Sequence, residues 1–205
     1  DNTKSRSFYI DILRKQANEN PNDGRYLYYM GRDAMYYNNN VEAIGYFERC
    51  IDHHHWDFER CQTRLYMANC YLKLGDEKKA LEQMFLSMME EPSRRDSTFG
   101  IAEYYRSKED WPKAIIWYRM ALSLDKPQTS YFMNDELYGA LPYLRLTQCY
   151  YNLRDIANSR KYFELAKQVD PKHPEIKQNE HLFWTPKVTI VIPTRFRDEL
   201  LQRCL

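Results

Sequence analysis

The sequence predicts an all-α, right-handed solenoid of about four antiparallel helix pairs. Three observations carry this. The middle of the chain repeats itself four times, glycine is scarce at 6 of 205 residues, and tyrosine is abundant at 18. Few glycines beside many aromatic and straight-chain charged residues suit packed helices better than turn-rich sheet.

The elements follow in chain order. Residues 1–23 contain SRSFYIDILRKQANENP, which reads as a lone trailing helix of an earlier repeat, ended by Pro21. Residues 24–171 hold the four copies, aligned on a small residue of each second helix: Ala43, Ala80, Ala114 and Ser159. Four residues later stand Phe47, Met84, Tyr118 and Phe163; twelve residues earlier stand Gly31, Ala68, Ala102 and Thr147. Nine residues before the anchors are Ala34, Tyr71, Tyr105 and Tyr150. Antiparallel helices approach closely only where one offers a small side chain, and bulky neighbours one turn on fill the space between pairs. Gly75 marks a turn, Asp76 caps the helix after it, and Pro92, Pro127 and Pro171 stop second helices.

The anchors are spaced by 37, 34 and 45 residues, and the middle step is the tetratricopeptide period. The four copies resemble that repeat. The longer steps imply a loop after the first copy, IDHHHWDFERC, and an insertion of 11 residues near DKPQTSYFMNDELYGAL. Insertions of this kind gather on one face and often carry function.

Residues 172–186 read as a capping helix and linker. From Lys187 the pattern changes: KVTIVIP is continuously apolar and β-branched, as in a strand buried on both faces, and TRFRDELLQRCL continues as a turn and helix start. A lone strand has no pairing partner in a helical solenoid, so residues 187–205 are expected to begin an α/β domain. PKVTIVIPTRFRDELLQRCL is similar to the opening of family 2 glycosyltransferases of the GT-A fold, with Val188, Ile190 to Thr194, Arg197, Leu200, Leu201, Cys204 and Leu205 fitting and Phe196 replacing an asparagine. The resemblance implies a tetratricopeptide region attached to such an enzyme. It further implies that Pro193, Thr194 and Arg195 start a nucleotide-sugar site, in a parent that uses a nucleotide-sugar and a divalent metal. It covers about 19 residues, and no two aspartates here stand two apart as the metal-binding D-x-D needs. This chain by itself is not expected to transfer sugar.

Composition narrows the partners. Lys and Arg total 30 against 29 Asp and Glu, so the basic excess of a nucleic-acid binder is missing. That weakens a helical-repeat RNA-binding reading. Five irregularly spaced cysteines without a CxxC pair fit a reducing, cytoplasmic setting, and no apolar run reaches the ~20 residues of a membrane span. The start of the chain shows no signal-peptide pattern, and the reading expects a piece of a longer protein.

No catalytic residue and no metal site is assigned. His53, His54 and His55 near Cys50 and Cys61 read as a polar loop, because three consecutive side chains point in different directions. Met84, Met88 and Met89 read as core filler, and Glu90, Glu91, Arg94, Arg95 and Asp96 as a solvated corner. In tetratricopeptide arrays the first helix of each pair lines a concave, peptide-binding surface. The resemblance places Tyr28, Arg32 and Tyr36, then Leu65 and Asn69, then Phe99, Glu103 and Arg106, and finally Gln148 and Tyr151 along it. Aromatics mixed with Arg and Asn suit recognition, although Tyr28 and Tyr36 fit helix packing equally well. The carboxylate clamp of chaperone-binding repeats is disfavoured, since Tyr28, Arg32, Asp96 and Gly100 occupy its places. The expected role is a scaffold that engages a protein, a second copy or the parent's catalytic domain. A stand-alone peptide-binding adaptor is the alternative.

Overall fold

A computed structural model describes residues 10–16, 19–53 and 56–183. After a helical stretch at residues 10–16 (α1) come α2 (Gly24–Tyr36), α3 (Asn40–His53), α4 (Asp57–Lys73), α5 (Glu77–Glu90), α6 (Arg95–Ser107) and α7 (Trp111–Leu122). A one-turn 3-10 helix, η1 (Asp135–Tyr138), precedes α8 (Leu141–Asn152), α9 (Ile156–Val169) and α10 (Pro174–Phe183). Among the described residues there is no strand. The four expected pairs are α2/α3, α4/α5, α6/α7 and α8/α9, and each helix packs on its neighbours in sequence. The strand expected from Lys187, with Pro193, Thr194 and Arg195, lies outside the described residues.

The anchors do what their size dictates. Ala43, Ala80, Ala114 and Ser159 are all fully buried, as are Phe47 and Tyr118. At Gly31 the approach is tight: a Cβ there would lie 2.5 Å from Phe47 Cε1. In the fourth pair the place of an alanine is taken by Ser159, whose hydroxyl donates to the Thr147 carbonyl at 2.9 Å. A polar anchor is thereby accommodated with its donor satisfied.

One turn design serves all four pairs. Asn38, Gly75, Glu109 and Arg154, each five residues before its anchor, have φ of 61°, 80°, 57° and 63°. The next amide in each case bonds back to the carbonyl of Ala34, Tyr71, Tyr105 or Tyr150 at 2.9–3.0 Å, the closure of a Schellman motif. In the last three pairs that next residue is an aspartate, whose carboxylate accepts the amide of Lys79, Lys113 or Asn158 and starts the second helix. Only one of the four left-handed positions is glycine, although an L-residue there costs about 1–2 kcal/mol. Arg154→Gly is therefore expected to raise stability by up to about 1 kcal/mol and Gly75→Ala to lower it by a similar amount, read from urea midpoints. Two shifts of the same sign would refute this account of the turns.

The ends are covered. Ile10 and Leu13 of α1 pack with Met30, and Ile176 of α10 is buried while Phe183 stacks on Phe163 at 4.5 Å. Cys50, Cys61, Cys70 and Cys149 are free and buried; burial pushes the Cys50 thiol up to about 11 and Cys149 up to about 12. Met84 is core, as expected, whereas Met89 is 74% exposed and fills nothing.

Candidate protein-binding surface

The first helices α2, α4, α6 and α8 line one face, with α2 touching α4 and α4 touching α6. Residues eleven before each anchor, namely Arg32, Asn69, Glu103 and Gln148, run along it; all but the half-buried Glu103 are exposed. Tyr36 and Tyr151 are exposed as well, and Arg106 is half-buried. The residues one turn earlier lie deeper. Tyr28 is 4% exposed and Phe99 9%, while Leu65 is half-buried. Two of the expected surface residues are thus interior.

The insertion between α7 and α8 is the physical reason. Its Leu137 shares a buried cluster with Phe99 and Tyr118. Its Tyr131 reaches back over the N-terminal ends of α4 and α6 and shares a hydrogen bond with the Tyr28 hydroxyl at 3.1 Å. The Tyr131 ring meets Trp56 edge-on at 5.2 Å between centroids and lies 6.3 Å from Phe58. Burial, then the bond to Tyr131, pushes the Tyr28 phenol far above its ordinary range, so it stays a neutral hydroxyl.

Two adjacent arginines hold the insertion down. Arg94 is wholly buried: its guanidinium donates to the Phe58 carbonyl and to Gln62 Oε1, both at 2.8 Å, and pairs with Asp96 at 2.9 Å. Its carbon centre stands 5.2 Å from the Tyr131 ring centroid, a cation–π contact. Arg95 grips both ends of the insertion, donating to the Leu124 carbonyl at 2.7 Å and the Leu137 carbonyl at 3.0 Å, beneath the Tyr138 ring. The segment that reads as a solvated corner is a buried polar joint. Apart from Asp96, nothing in the local charge pattern announced it, because the other partners are main-chain carbonyls, rings and the Gln62 side chain, all distant in sequence.

Glu90 makes a second polar joint. It is gripped by Arg60 at 2.8 Å and Arg64 at 2.7 Å, and Arg60 also donates to the Ile51 carbonyl, tying the first pair to the second. Burial pushes the Glu90 carboxyl up, but the two arginines outweigh it and hold it below the usual range. A lowered folded pKa gives stability that is complete above the unfolded value near 4.3 and is lost as pH falls through the folded one. The expected result is a urea midpoint that drops below about pH 4.5, with Glu90→Gln flattening that drop. An unaltered acid limb in the variant would remove Glu90 as its source.

The insertion divides the concave face. Toward the N-terminus a cavity of about 570 Å³ is bordered by Tyr28, Arg32, Tyr66, Asp96, Tyr131 and Phe132. Arg32 lies over Tyr28, Tyr29 and Tyr66 there, 5.5–6.0 Å from their centroids. Toward the C-terminus a cavity of about 450 Å³ brings Arg106, Gln148 and Tyr151 together with Arg145, Leu182 and Phe183. Glu103, itself outside the lining, pairs with the charged residues of that cavity's wall: it accepts from the Tyr118 hydroxyl at 2.5 Å and Arg106 at 2.6 Å, with Arg145 at 3.5 Å and Glu175 beyond, 2.9 Å from Arg145. Two arginines against two glutamates leave this wall near neutral. Asn69 and Tyr36 stand outside both cavities. Trp56, Phe58, Tyr131 and Arg145 went unnoticed in the sequence, and Arg94 read only as part of a solvated corner; the one available signal was a Tyr-Phe tip inside a long insertion.

His53 is exposed at the end of α3, and His54 and His55 lie outside the described residues. Among the described residues no helix is long and apolar enough to cross a membrane.

Residues 142–173 match the tetratricopeptide repeat family. Solved structures resemble most of the chain. The chain is similar to MamA, with 15% identity and a TM-score of 0.63 over 80% of this chain and 87% of that one. It is also similar to pilF of Pseudomonas aeruginosa, with 13% identity and a TM-score of 0.64 over 88% and 76%. A third is YrrB, described as a tetratricopeptide protein with an unusual peptide-binding site, with 11% identity and a TM-score of 0.62 over 88% and 86%. The fold is a tetratricopeptide-like α-solenoid. No curated protein matches the sequence. Against the regular pattern of such a solenoid, the insertion that carries Tyr131 is the departure.

Proposed function

We propose that the chain is a non-catalytic scaffold that binds a protein or peptide segment in the C-terminal half of its concave face. The observation that carries this reading is the open cavity of about 450 Å³ in which Arg106, Gln148 and Tyr151 converge with exposed Leu182. Its amides and tyrosine hydroxyl suit a peptide backbone, its apolar floor suits one aliphatic or aromatic anchor, and its paired charges favour no net charge in the ligand. Panning a displayed peptide library on the immobilised chain tests it. Selected peptides should lose at least about tenfold in affinity to Gln148→Ala with Tyr151→Ala, and keep it in Tyr36→Ala with Asn69→Ala. Equal effects of the two double variants would reject the cavity.

The partner follows from residues 187–205 alone: the scaffold serves a family 2 glycosyltransferase, in the cytoplasm, by positioning it, dimerising it or engaging its protein acceptor. Pro193, Thr194 and Arg195 would open the nucleotide-sugar site of that parent, which would also use a divalent metal. Support for this is the sequence likeness of that segment to the opening of those enzymes, while the four buried free thiols support the compartment. Reading the gene past Leu205 decides it, since an α/β domain with a D-x-D motif is required. Without one, the stand-alone peptide-binding adaptor stands. Sedimentation over a wide concentration range checks self-association, and a strict monomer removes dimerisation.

A further inference from the structure

We infer that the N-terminal half of the concave face holds a second recognition site, a socket for a tyrosine side chain of an extended peptide, occupied in cis by Tyr131 of the insertion. The inference rests on reading the concave face as a protein-binding surface, but it concerns a different part of that face. Four side chains make the socket. Tyr28 supplies a hydroxyl 3.1 Å from the Tyr131 hydroxyl, Trp56 an edge contact at 5.2 Å, Phe58 a tilted ring at 6.3 Å, and Arg94 a cation 5.2 Å from the ring centroid. They come from α2, the start of α4 and the turn before α6, so the socket spans three successive helix pairs. Its wall is fixed before any ligand arrives, because Arg94 is anchored by Phe58, Gln62 and Asp96. An aromatic slot with a hydroxyl partner at its end and a buried cation beside it recognises a phenol.

The occupant behaves as a bound peptide would. Residues 125–134 have no helix or strand, and Ser130 and Phe132 on either side of Tyr131 face solvent, Phe132 with 87% of its surface exposed. Tyr131 is therefore an anchoring side chain between two exposed neighbours, with the buried Met133 as a second anchor further on. Space remains beside it as well: cavities of about 930 Å³ and 570 Å³ border Tyr131 and Phe132. A longer segment from another chain has room to run where the insertion only dips in.

The test uses the insertion itself as probe. A synthetic peptide of residues 125–138 is added to the full chain and to Tyr131→Ala, following the Trp56 indole signal assigned with Trp56→Phe. The peptide should bind Tyr131→Ala at least about tenfold more tightly than the unaltered chain, where the tethered tyrosine competes at an effective concentration of order millimolar. A peptide carrying alanine in place of Tyr131, with Tyr138 kept, should not bind. Equal affinity for both chains, or no binding to a Tyr131→Ala chain of unchanged helicity and cooperative unfolding, would overturn the socket. If Tyr131→Ala fails to fold, Tyr131→Leu replaces it and the same comparison applies. Binding lost through Gln148→Ala with Tyr151→Ala would place the peptide in the C-terminal cavity, overturning the socket while leaving the proposed function intact.

Discussion

Arg94→Ala is expected to lower stability by about 3–5 kcal/mol, the cost of stripping one member from a buried, hydrogen-bonded ion pair. The variant leaves Asp96, whose side chain is only 12% exposed, without its cation, and leaves the Phe58 carbonyl and Gln62 without their donor. Lysine should not rescue it, because a single ammonium cannot reproduce a planar fork that reaches three acceptors and faces a ring. Urea unfolding followed by circular dichroism measures the loss. Because a solenoid is stabilised pair by pair, weakening this joint should also split the transition, the first two pairs and the last two unfolding at different midpoints. A loss below about 1 kcal/mol with a single transition would show the guanidinium to be a passenger.

The second large effect lies at the contact of Gly31 with Phe47. Phe47→Ala is expected to cost about 3–5 kcal/mol, since a fully buried ring is replaced by a cavity. Gly31→Ala should cost about 1–3 kcal/mol by overpacking, against a helix-propensity gain of about 1 kcal/mol for the same change on an exposed face. The added methyl would stand 2.5–3.0 Å from three atoms of the Phe47 ring, which is stacked 5.8 Å from Tyr66 and has little room to retreat. The pair must therefore be non-additive. Gly31→Ala with Phe47→Leu should be more stable than the sum of the single changes predicts. Strict additivity in thermal or urea unfolding would contradict the interlock.

These two cases mark where the sequence was legible. Gly31 as a small residue and Phe47 as a bulky one could be placed in advance because the small-and-large pattern recurs at fixed offsets, although the contact between the two could not. Ser159 could be placed with the alanines on the same ground, although its bond to the Thr147 carbonyl could not. Arg94 and Arg95 had no such guide. Two cations in a charged run read as solvated unless their acceptors are visible, and those acceptors are the carbonyls of Phe58, Leu124 and Leu137 and the side chains of Gln62 and Asp96. The concave face was readable in register and misjudged in depth. Arg32, Asn69 and Gln148 do face outward, but Tyr28 and Phe99 on the same stripe are covered by Tyr131 and Leu137 of an insertion whose path no periodicity describes.

Arg95 holds Leu124 and Leu137 together at the base of a loop whose tip makes its own contacts. Such a staple separates the length of the excursion from the integrity of the frame. Doubling a flexible loop adds only about 0.6 kcal/mol of closure cost, so the stretch between the two gripped carbonyls can lengthen, shorten or change composition while the helices on either side keep their register. Natural divergence and laboratory grafting alike should find this the most permissive place to install a new binding sequence.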